Sequence, residues 1–515
     1  MNESRRRIVK NTLSSYGRFA VTAVVFLFLT PLIVGGIGTE RYGLWTLVLS
    51  VVGFFGVLDL GFGTAVVKFV GDTRGRGDHA ARNEFVSTTL AIYAVLGLLA
   101  ALGITLLASR FTDLFGIGPD LAREAVVVLW LVGLRSVVFS LPLSTFRGAL
   151  FGSERIHEVN VAQLFGILLY ATTALIVLYL GGGLVALALA SLAAMLVEHA
   201  VYIILCYRLL PNFRLSASAV RVERVREVAG YSVYALIGLL SSVILLRMDP
   251  AIVSAYLPLG AVAAYGIALK LCEHGLVLTK QFANVLTPYF ARAEGAGDTE
   301  GPRAVFERAS RLAVLPPAAL FVSSAVLGGD ALRVWLGQDF AAGAPVLVIL
   351  VGATLVSAPQ LVASGYLFMS GHQRFSALAA AIAIPINVGV SLLLVRSMGM
   401  VGVALGTLTA TVVVDLLILI PYALRRVGLG GGRYAAGLLR SVVPMSAQVV
   451  VLLGTTTLVP AESLLAIAGL ALLGCLVFAA AAWPTVLDDA ERAYVRRAVV
   501  RVVPVRAAGL ARRAG

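Results

Sequence analysis

The sequence predicts an all-α integral membrane protein with about fourteen transmembrane helices, arranged as two parallel six-helix repeats followed by two further helices. Hydrophobic residues make up 59% of the 515-residue chain and charged residues only 13%. A soluble domain carries roughly 25% charged residues, so this composition excludes an ordinary soluble enzyme. Apolar runs of about 20 residues recur along the chain, and short motifs of the first half return in order in the second.

The predicted spans are each long enough to cross about 30 Å of hydrocarbon. In chain order they are residues 11–34, 42–66, 85–108, 124–149, 159–180, 184–209, 228–246, 262–289, 310–327, 342–368, 375–395, 401–424, 441–459 and 462–483. The segments between them are too short and too apolar to fold as separate soluble domains. Membrane spans are therefore the units of this chain.

The net charge of +14 comes from basic residues in the short loops between apolar runs. Such a distribution is typical of membrane orientation and argues against a nucleic-acid partner. With the N-terminus inside, the inner loops hold roughly five times as many Lys and Arg residues as the outer ones, which predicts that both termini are cytoplasmic. Arg5, Arg6 and Arg7 precede an apolar run without a small-residue cleavage site, so this run is predicted to be a retained first span.

The two halves repeat at an offset of about 220 residues. Matching pairs are Tyr42-Gly43 with Tyr265-Gly266, and Val132-Gly133 with Val351-Gly352. Each repeat holds six spans, an even number, so both run the same way through the membrane. The predicted organisation is a first lobe at 1–215, a second lobe at 216–427, two added helices at 428–483 and a basic tail at 484–515.

Motifs of metal or cofactor enzymes are missing from the sequence. The three cysteines form no CxxC pair, and the five histidines match no metal spacing. There is no P-loop, no HExxH and no phosphate-cradling GxGxxG before a helix. We therefore expect no cofactor, no metal site and no catalytic residues.

The predicted eighth span concentrates polar side chains on one face. At about 100° per residue, one arc of the helix holds Lys270, Glu273, His274, Lys280, Gln281 and Asn284. One interpretation is a Lys270–Glu273 pair with hydrogen bonds between helices. The other is the wall of a cavity that accepts an anion, since two lysines exceed what Glu273 alone neutralises. The substrate-binding prediction includes Lys270, Lys280, Gln281 and Asn284.

Two further basic residues are candidates for the same cationic cavity. Arg135 lies in the middle of the fourth span, far from either interface, which favours a cavity-facing side chain. Arg247 and Asp249 are predicted to close the seventh span at its outer end. They either pair with each other or gate the cavity.

Acidic residues inside the spans are candidates for ion coupling or gating, and Asp249 and Glu273 are included among them. Asp59 lies in the second predicted span, followed closely by two glycines, and either forms structural hydrogen bonds or lines the cavity. Glu198 and Asp415 hold nearly equivalent positions in the sixth and twelfth spans. They either bind a coupling proton or sodium ion, or each pairs with a neighbouring helix.

Several motifs, in this order, resemble those of polysaccharide-transport flippases in the multidrug/oligosaccharidyl-lipid/polysaccharide exporter superfamily. They are Tyr42-Gly43-Leu44-Trp45, Leu58-Asp59-Leu60-Gly61, Tyr265 to Lys270, Pro288-Tyr289-Phe290, Val334-Trp335-Leu336-Gly337, Gly371-His372-Gln373-Arg374, Asn387 and residues 399–407. The resemblance covers about residues 1–426. It implies a V-shaped, two-lobed fold like that of multidrug exporters (MATE-like), with a cationic central cavity. The arginine-rich first-span motif of lipid II flippases is not evident.

The resemblance also implies a function in the bacterial cytoplasmic membrane. The expected activity is transfer of a polyprenyl-diphosphate-linked oligosaccharide, an O-antigen, capsule or exopolysaccharide repeat unit, to the outer leaflet by alternating access. Membrane lipids, a polymerase and glycosyltransferases are the expected partners. The alternatives are a drug/cation antiporter, which would need an acidic cavity, and a non-transporting scaffold of an assembly complex. A membrane glycosyltransferase would need a longer outer loop.

Overall fold

A computed structural model of the chain describes residues 3–59, 61–221, 223–224, 244, 247–295, 300–493 and 496, without the side chains at 3–9, 12–13, 278, 281–288, 291–292 and 294–295. These residues form helices and turns, and none of them is in a strand. The helices are α1 (Glu3–Ile37), α2 (Thr39–Phe54), α3 (Phe62–Arg76), α4 (His79–Ala108), α5 (Phe111–Leu114), α6 (Pro119–Gly133), α7 (Ser140–Gly152), α8 (Ile156–Tyr179), α9 (Leu184–Leu209), α10 (Leu259–Gly295), α11 (Glu300–Ala313), α12 (Leu315–Leu336), α13 (Gln338–Ala341), α14 (Ala344–Met369), α15 (Gln373–Met398), α16 (Met400–Thr411), α17 (Ile420–Val427), α18 (Gly431–Leu439), α19 (Val442–Thr456) and α20 (Leu464–Thr485).

Twelve stretches of the described chain are long and apolar enough to cross a membrane. They are formed by α1, α2, α4, α6 with α7, α8, α9, α11 with α12, α14, α15, α16 with α17, α18 with α19, and α20. The predicted seventh span, 228–246, lies outside the described residues apart from residue 244. The predicted eighth span falls on α10, which is 37 residues long but is not among the twelve. The total of fourteen stays a prediction.

The second span is shorter than the predicted 42–66. The candidate span runs from Thr39 to Asp59 and ends in a tight turn at Phe55–Asp59. Gly61 then adopts a left-handed conformation, with φ of 77°, before α3 begins. Glycine has no Cβ and adopts this conformation without strain, so the chain can turn at Gly61. The second span therefore ends before this residue.

The first half of the chain contacts the second half at several places in the described residues. α2 packs along α10, and α1 packs against α12. The contacts at the end where α1 leads into α2, the predicted outer end, are here named the outer seam. The outer seam consists of Thr39, Tyr42 and Gly43 from the first half and Leu259, Asp339 and Phe340 from the second.

The outer seam is closely packed. The Thr39 hydroxyl donates a hydrogen bond to the Asp339 carboxylate at 3.3 Å. The rings of Tyr42 and Phe340 meet edge to face, with centroids 6.4 Å apart. Gly43 lies so close to the backbone of Leu259 that a Cβ there would collide with its carbonyl group. The two halves are therefore held together at the predicted outer end.

The last two long helices pack against the second half. The side chain of Gln448 on α19 is fully buried, and its Nε2 donates to the Ala319 carbonyl at 3.1 Å and to Ser323 Oγ at 3.0 Å on α12. Beyond α20, the buried guanidinium of Arg311 on α11 donates to the carboxylates of Asp488 and Glu491 at 2.7–3.1 Å. These ion pairs of Arg311 hold the start of the tail against the second half.

We expect Arg311→Gln to lower the free energy of unfolding by on the order of 2 kcal/mol, because two partly enclosed carboxylates lose their charged hydrogen bonds. The Arg311 guanidinium holds the pKa of Asp488 below its ordinary value. A depressed carboxyl pKa adds stability above the unfolded pKa, and that stability is lost as the pH falls through the folded pKa. Thermal unfolding of the purified protein should therefore show acid destabilisation below about pH 4 that is weaker in Arg311→Gln.

The control for this prediction is Arg333→Gln. Arg333 pairs with Asp330 three residues earlier, and both side chains are about half exposed at 48% and 43%. An exposed pair of this kind contributes about 0.5 kcal/mol or less. Equal destabilisation by the two variants would contradict the claim that Arg311 stabilises the contact between the tail and the second half.

Candidate functional site

Three arginines of the first half lie within electrostatic range of one glutamate. Arg18 on α1, Arg135 between α6 and α7, and Arg147 on α7 all act electrostatically on Glu198 of α9. These four residues are here named the arginine cluster. One carboxylate neutralises one of the three cations, so the arginine cluster carries an excess of positive charge.

Arg135 lies where the helix is locally widened. Residues Leu134–Phe139 form a π-helical stretch between α6 and α7, a distortion frequent at functional sites. The Nε of Arg135 is buried and has no hydrogen-bond partner. The repeat places Thr354 of α14 at the equivalent position, and its hydroxyl donates to its own helix at the Leu350 carbonyl. The positively charged side chain at this position is therefore present in the first repeat and absent from the second.

Neighbouring side chains hold the rest of the arginine cluster in place. The Arg18 Nε donates to Asn160 Oδ1 of α8 at 3.1 Å. The Tyr202 hydroxyl donates to Glu198 at 2.6 Å, and Gly166 of α8 leaves space for this carboxylate. Arg147 is exposed, so the described helices do not enclose its side chain.

Asp59 lies close to the arginine cluster and forms structural hydrogen bonds. Its carboxylate accepts from the Tyr93 hydroxyl of α4 and, at 3.2 Å, from the Gly63 backbone N–H. Tyr93 in turn interacts electrostatically with Arg147. Of the two interpretations for Asp59, the observed contacts favour structural hydrogen bonding.

One residue of the polar face of α10, His274, contacts the first half of the chain. Lys270 Nζ pairs with Glu273 at 2.9 Å, and Lys270 remains 49% exposed. His274 stacks on Phe26 of α1, with ring centroids 5.0 Å apart. Lys280 is also exposed. The side chains of Gln281 and Asn284, predicted for this face, lie outside the described part of the structure.

The predicted position of Arg247 and Asp249 at the outer end of their span is wrong. The described helix continues through residues 247–256, so both residues lie inside it. Asp249 is buried and accepts hydrogen bonds from the Tyr265 hydroxyl at 2.6 Å and the Thr407 hydroxyl at 2.7 Å. Among the described contacts, it forms no ion pair with Arg247. The Arg247 side chain packs against Gly53 of α2.

Asp415 has different surroundings from Glu198, although the repeat makes the two nearly equivalent. It lies in a second π-helical stretch, Val412–Leu419, and accepts from the Ser357 hydroxyl at 2.9 Å. Asp415 thus contacts the neutral hydroxyl of Ser357, whereas Glu198 interacts with arginines. The two halves therefore present different electrostatic environments.

Arg18 belongs to the arginine cluster but was not among the predicted site residues. It lies within the predicted first span, 11–34, where an ionisable side chain already indicates a functional position. Arg147 was not among the predicted site residues either. Its electrostatic interaction with Glu198 depends on folding and has no signal in the sequence.

The sequence is similar to a known protein family and to two known proteins. The family model described as "Polysaccharide biosynthesis protein" matches residues 8–294. The "Uncharacterized membrane protein EpsK" of Bacillus subtilis is 25% identical over 350 residues, 66% of this chain and 67% of that protein. The "Probable low-salt glycan biosynthesis flippase Agl15" of Haloferax volcanii is 22% identical over 188 residues, 36% of this chain and 39% of that protein.

Solved structures share the fold. An inward-facing multidrug resistance MATE family transporter of the MOP superfamily matches with a TM-score of 0.69 and 17% identity, over 79% of this chain and 94% of that one. The lipid II flippase MurJ in an inward closed conformation matches with a TM-score of 0.69 and 13% identity, over 92% and 98%. The chain therefore has the fold of the MOP superfamily of membrane transporters.

Proposed function

Because the chain belongs to the polysaccharide biosynthesis protein family, we propose that it is a flippase for a polyprenyl-diphosphate-linked oligosaccharide. The substrate would be a repeat unit of an O-antigen, a capsule or an exopolysaccharide, carried from the cytoplasmic to the outer leaflet. The flippase Agl15 and the fold shared with MurJ support this substrate class. No catalytic step is part of the proposal.

The arginine cluster is the observation that carries this proposal. Three cations around one carboxylate leave a positive excess inside a membrane helix bundle, where unpaired charge is costly. A diphosphate supplies the missing negative charge, and its oxygens match the planar donors of guanidinium groups. The unpartnered Nε of Arg135 is one such donor. We propose Arg18, Arg135 and Arg147 as the main head-group ligands.

The other predicted residues have secondary parts in this proposal. Lys280 and the Lys270–Glu273 pair belong to α10, and Gln281 and Asn284 stay predicted members of the same helix face. Arg247 belongs to the contact with α2. Because Glu273 neutralises Lys270, the first half contributes more free positive charge than α10 does.

In this proposal the closed outer seam sets the side of the membrane from which the substrate enters. With the halves joined at the predicted outer end, the head group reaches the arginine cluster from the predicted cytoplasmic side, and the prenyl chain stays in the lipid. Rocking of the halves opens the seam and releases the head group outside. In this proposal the protein works in the bacterial cytoplasmic membrane, with both termini in the cytoplasm.

The experiment is translocation of a fluorescent polyprenyl-diphosphate oligosaccharide in vesicles that contain the purified protein. A quencher outside the vesicles reports the lipid in the outer leaflet over time. We expect the protein to accelerate translocation of this lipid and not of a neutral glycolipid with the same sugar and prenyl chain. Equal rates for the two lipids, or no acceleration over empty vesicles, would reject the proposed function.

A further inference from the structure

Asn160 of α8 lies at the contact between α8 and α1, where its amide is fully engaged in hydrogen bonds. The residue is 3% exposed. Its Nδ2 donates to Ser14 Oγ at 3.0 Å and to Ser15 Oγ at 2.9 Å on α1. Its Oδ1 accepts from Arg18 Nε at 3.1 Å. Both amide hydrogens and the amide oxygen are therefore bound to one face of α1.

Hydrogen bonds within α1 fix the direction in which this amide points. The hydroxyls of Ser14 and Ser15 both donate to the Asn11 carbonyl, each at 2.9 Å. A hydroxyl has one hydrogen, so these two oxygens can only accept from Asn160. The amide nitrogen must therefore face the serines, which leaves the amide oxygen for Arg18.

The Arg18 guanidinium is thereby held by one edge. Among the described contacts of this side chain, only Nε has a hydrogen-bond partner, so both terminal nitrogens remain for another ligand. The neutral amide orders the arginine without cancelling its charge, unlike the carboxylate of Glu198, which lies within electrostatic range. An arginine that is already ordered loses less conformational entropy when it binds an anion.

The second repeat has an alanine at the position equivalent to Asn160. The offset that pairs Arg155 with Arg374 pairs Asn160 with Ala379 of α15. An alanine side chain has no donor or acceptor, so it forms none of the bonds that Asn160 makes. The amide that orders an arginine therefore belongs to the first repeat, as the positive charge of Arg135 does.

We propose that Asn160 is a positioning residue for head-group binding. It holds Arg18 by the Nε edge, so that the two terminal nitrogens, a planar pair of donors, meet the oxygens of a diphosphate. Asn160 itself binds α1 and does not touch the lipid. The inference rests on the proposed function, because it states how one of the proposed head-group ligands is kept ready for the diphosphate.

The experiment is a double-mutant cycle on the binding of geranyl diphosphate, a water-soluble short-chain polyprenyl diphosphate, to the full-length purified protein. Asn160→Leu keeps the approximate size of the side chain but none of its hydrogen bonds. We expect it to weaken binding about fivefold or more, because Arg18 is no longer ordered. In protein that already carries Arg18→Gln, Asn160→Leu should cause no further weakening.

A merely structural role of Asn160 predicts a different result, since a weaker contact between α1 and α8 would lower the affinity in both backgrounds. The matched control is Gln448→Leu, which removes another buried amide that joins two helices, α19 and α12, and should keep wild-type binding. If Asn160→Leu does not fold, the Ser14→Ala, Ser15→Ala variant takes its place in the cycle, because it removes the acceptors that orient the amide. In vesicles, Asn160→Leu should raise the half-saturating lipid concentration and keep the maximal rate.

Failure of this inference is distinguishable from failure of the proposed function. Binding is measured without translocation, so a protein that shows the coupling between Asn160 and Arg18 but moves no lipid would reject only the flippase. Equal weakening by Asn160→Leu with and without Arg18, or no weakening in the wild-type background, would overturn the inference and leave the flippase in place.

Discussion

Covalent closure of the outer seam is expected to abolish translocation. The pair Thr39→Cys and Asp339→Cys replaces two exposed side chains whose oxygen atoms lie 3.3 Å apart on opposite halves. Oxidation, or a short thiol crosslinker, then holds the halves together at the predicted outer end. Because alternating access requires the seam to open, the labelled lipid should stay in its starting leaflet, and reduction of the disulfide should restore movement.

A second cysteine pair controls for oxidation itself. Asp330→Cys and Arg333→Cys lie one turn apart on α12, so a crosslink between them joins a helix to itself and restrains neither half. Both pairs are built in a background that lacks the native thiols, Cys206, Cys272 and Cys475. Full translocation by the crosslinked Thr39–Asp339 pair would show that the seam does not open during transport.

Replacing Arg135 and Arg147 together by Gln is expected to lower the catalytic efficiency of translocation by about 100-fold or more. Each lost hydrogen bond to a charged group is worth about 1.5–3 kcal/mol, and 1.4 kcal/mol is a factor of ten. Head-group binding is affected first, so the half-saturating lipid concentration should rise. The initial rates at several lipid densities in vesicles measure this change.

Two single variants serve as controls for the double replacement. Arg333→Gln removes an arginine of the second half that is exposed, as Arg147 is, and should keep the wild-type rate. Glu198→Gln removes the carboxylate that the three arginines share, so it should keep or strengthen head-group binding. A loss of binding in Glu198→Gln as large as in the double variant would indicate that the cluster is a structural network and not an anion site.

The sequence predicts most of the membrane architecture because hydrocarbon requires long apolar helices. Twelve predicted spans correspond to apolar helices of the described chain. The break after Asp59 was missed because Gly61 and Phe62 continue an apolar run, and hydropathy does not distinguish a straight span from one that turns at a glycine. The later end of the seventh helix was missed for a related reason, since Arg247, Asp249 and Pro250 together are typical of a loop.

Side-chain partners were the least predictable feature. Tyr265 and Thr407 make a buried aspartate tolerable inside a helix, but they lie 16 and 158 residues away from it in the chain. Periodicity correctly groups Lys270 with Glu273, because three residues place them on one helix face. It does not reveal that Arg18, Arg135 and Arg147 converge on Glu198, since that convergence depends on how four helices pack.

The most direct test of the central claim, that the arginines of the first half hold a diphosphate, is equilibrium binding of a short-chain, water-soluble polyprenyl diphosphate to the purified protein. We predict saturable binding by the wild type that weakens as salt is added, and at least about tenfold weaker binding by the Arg135→Gln, Arg147→Gln double variant. Equal affinity of the wild type and the double variant would contradict the claim.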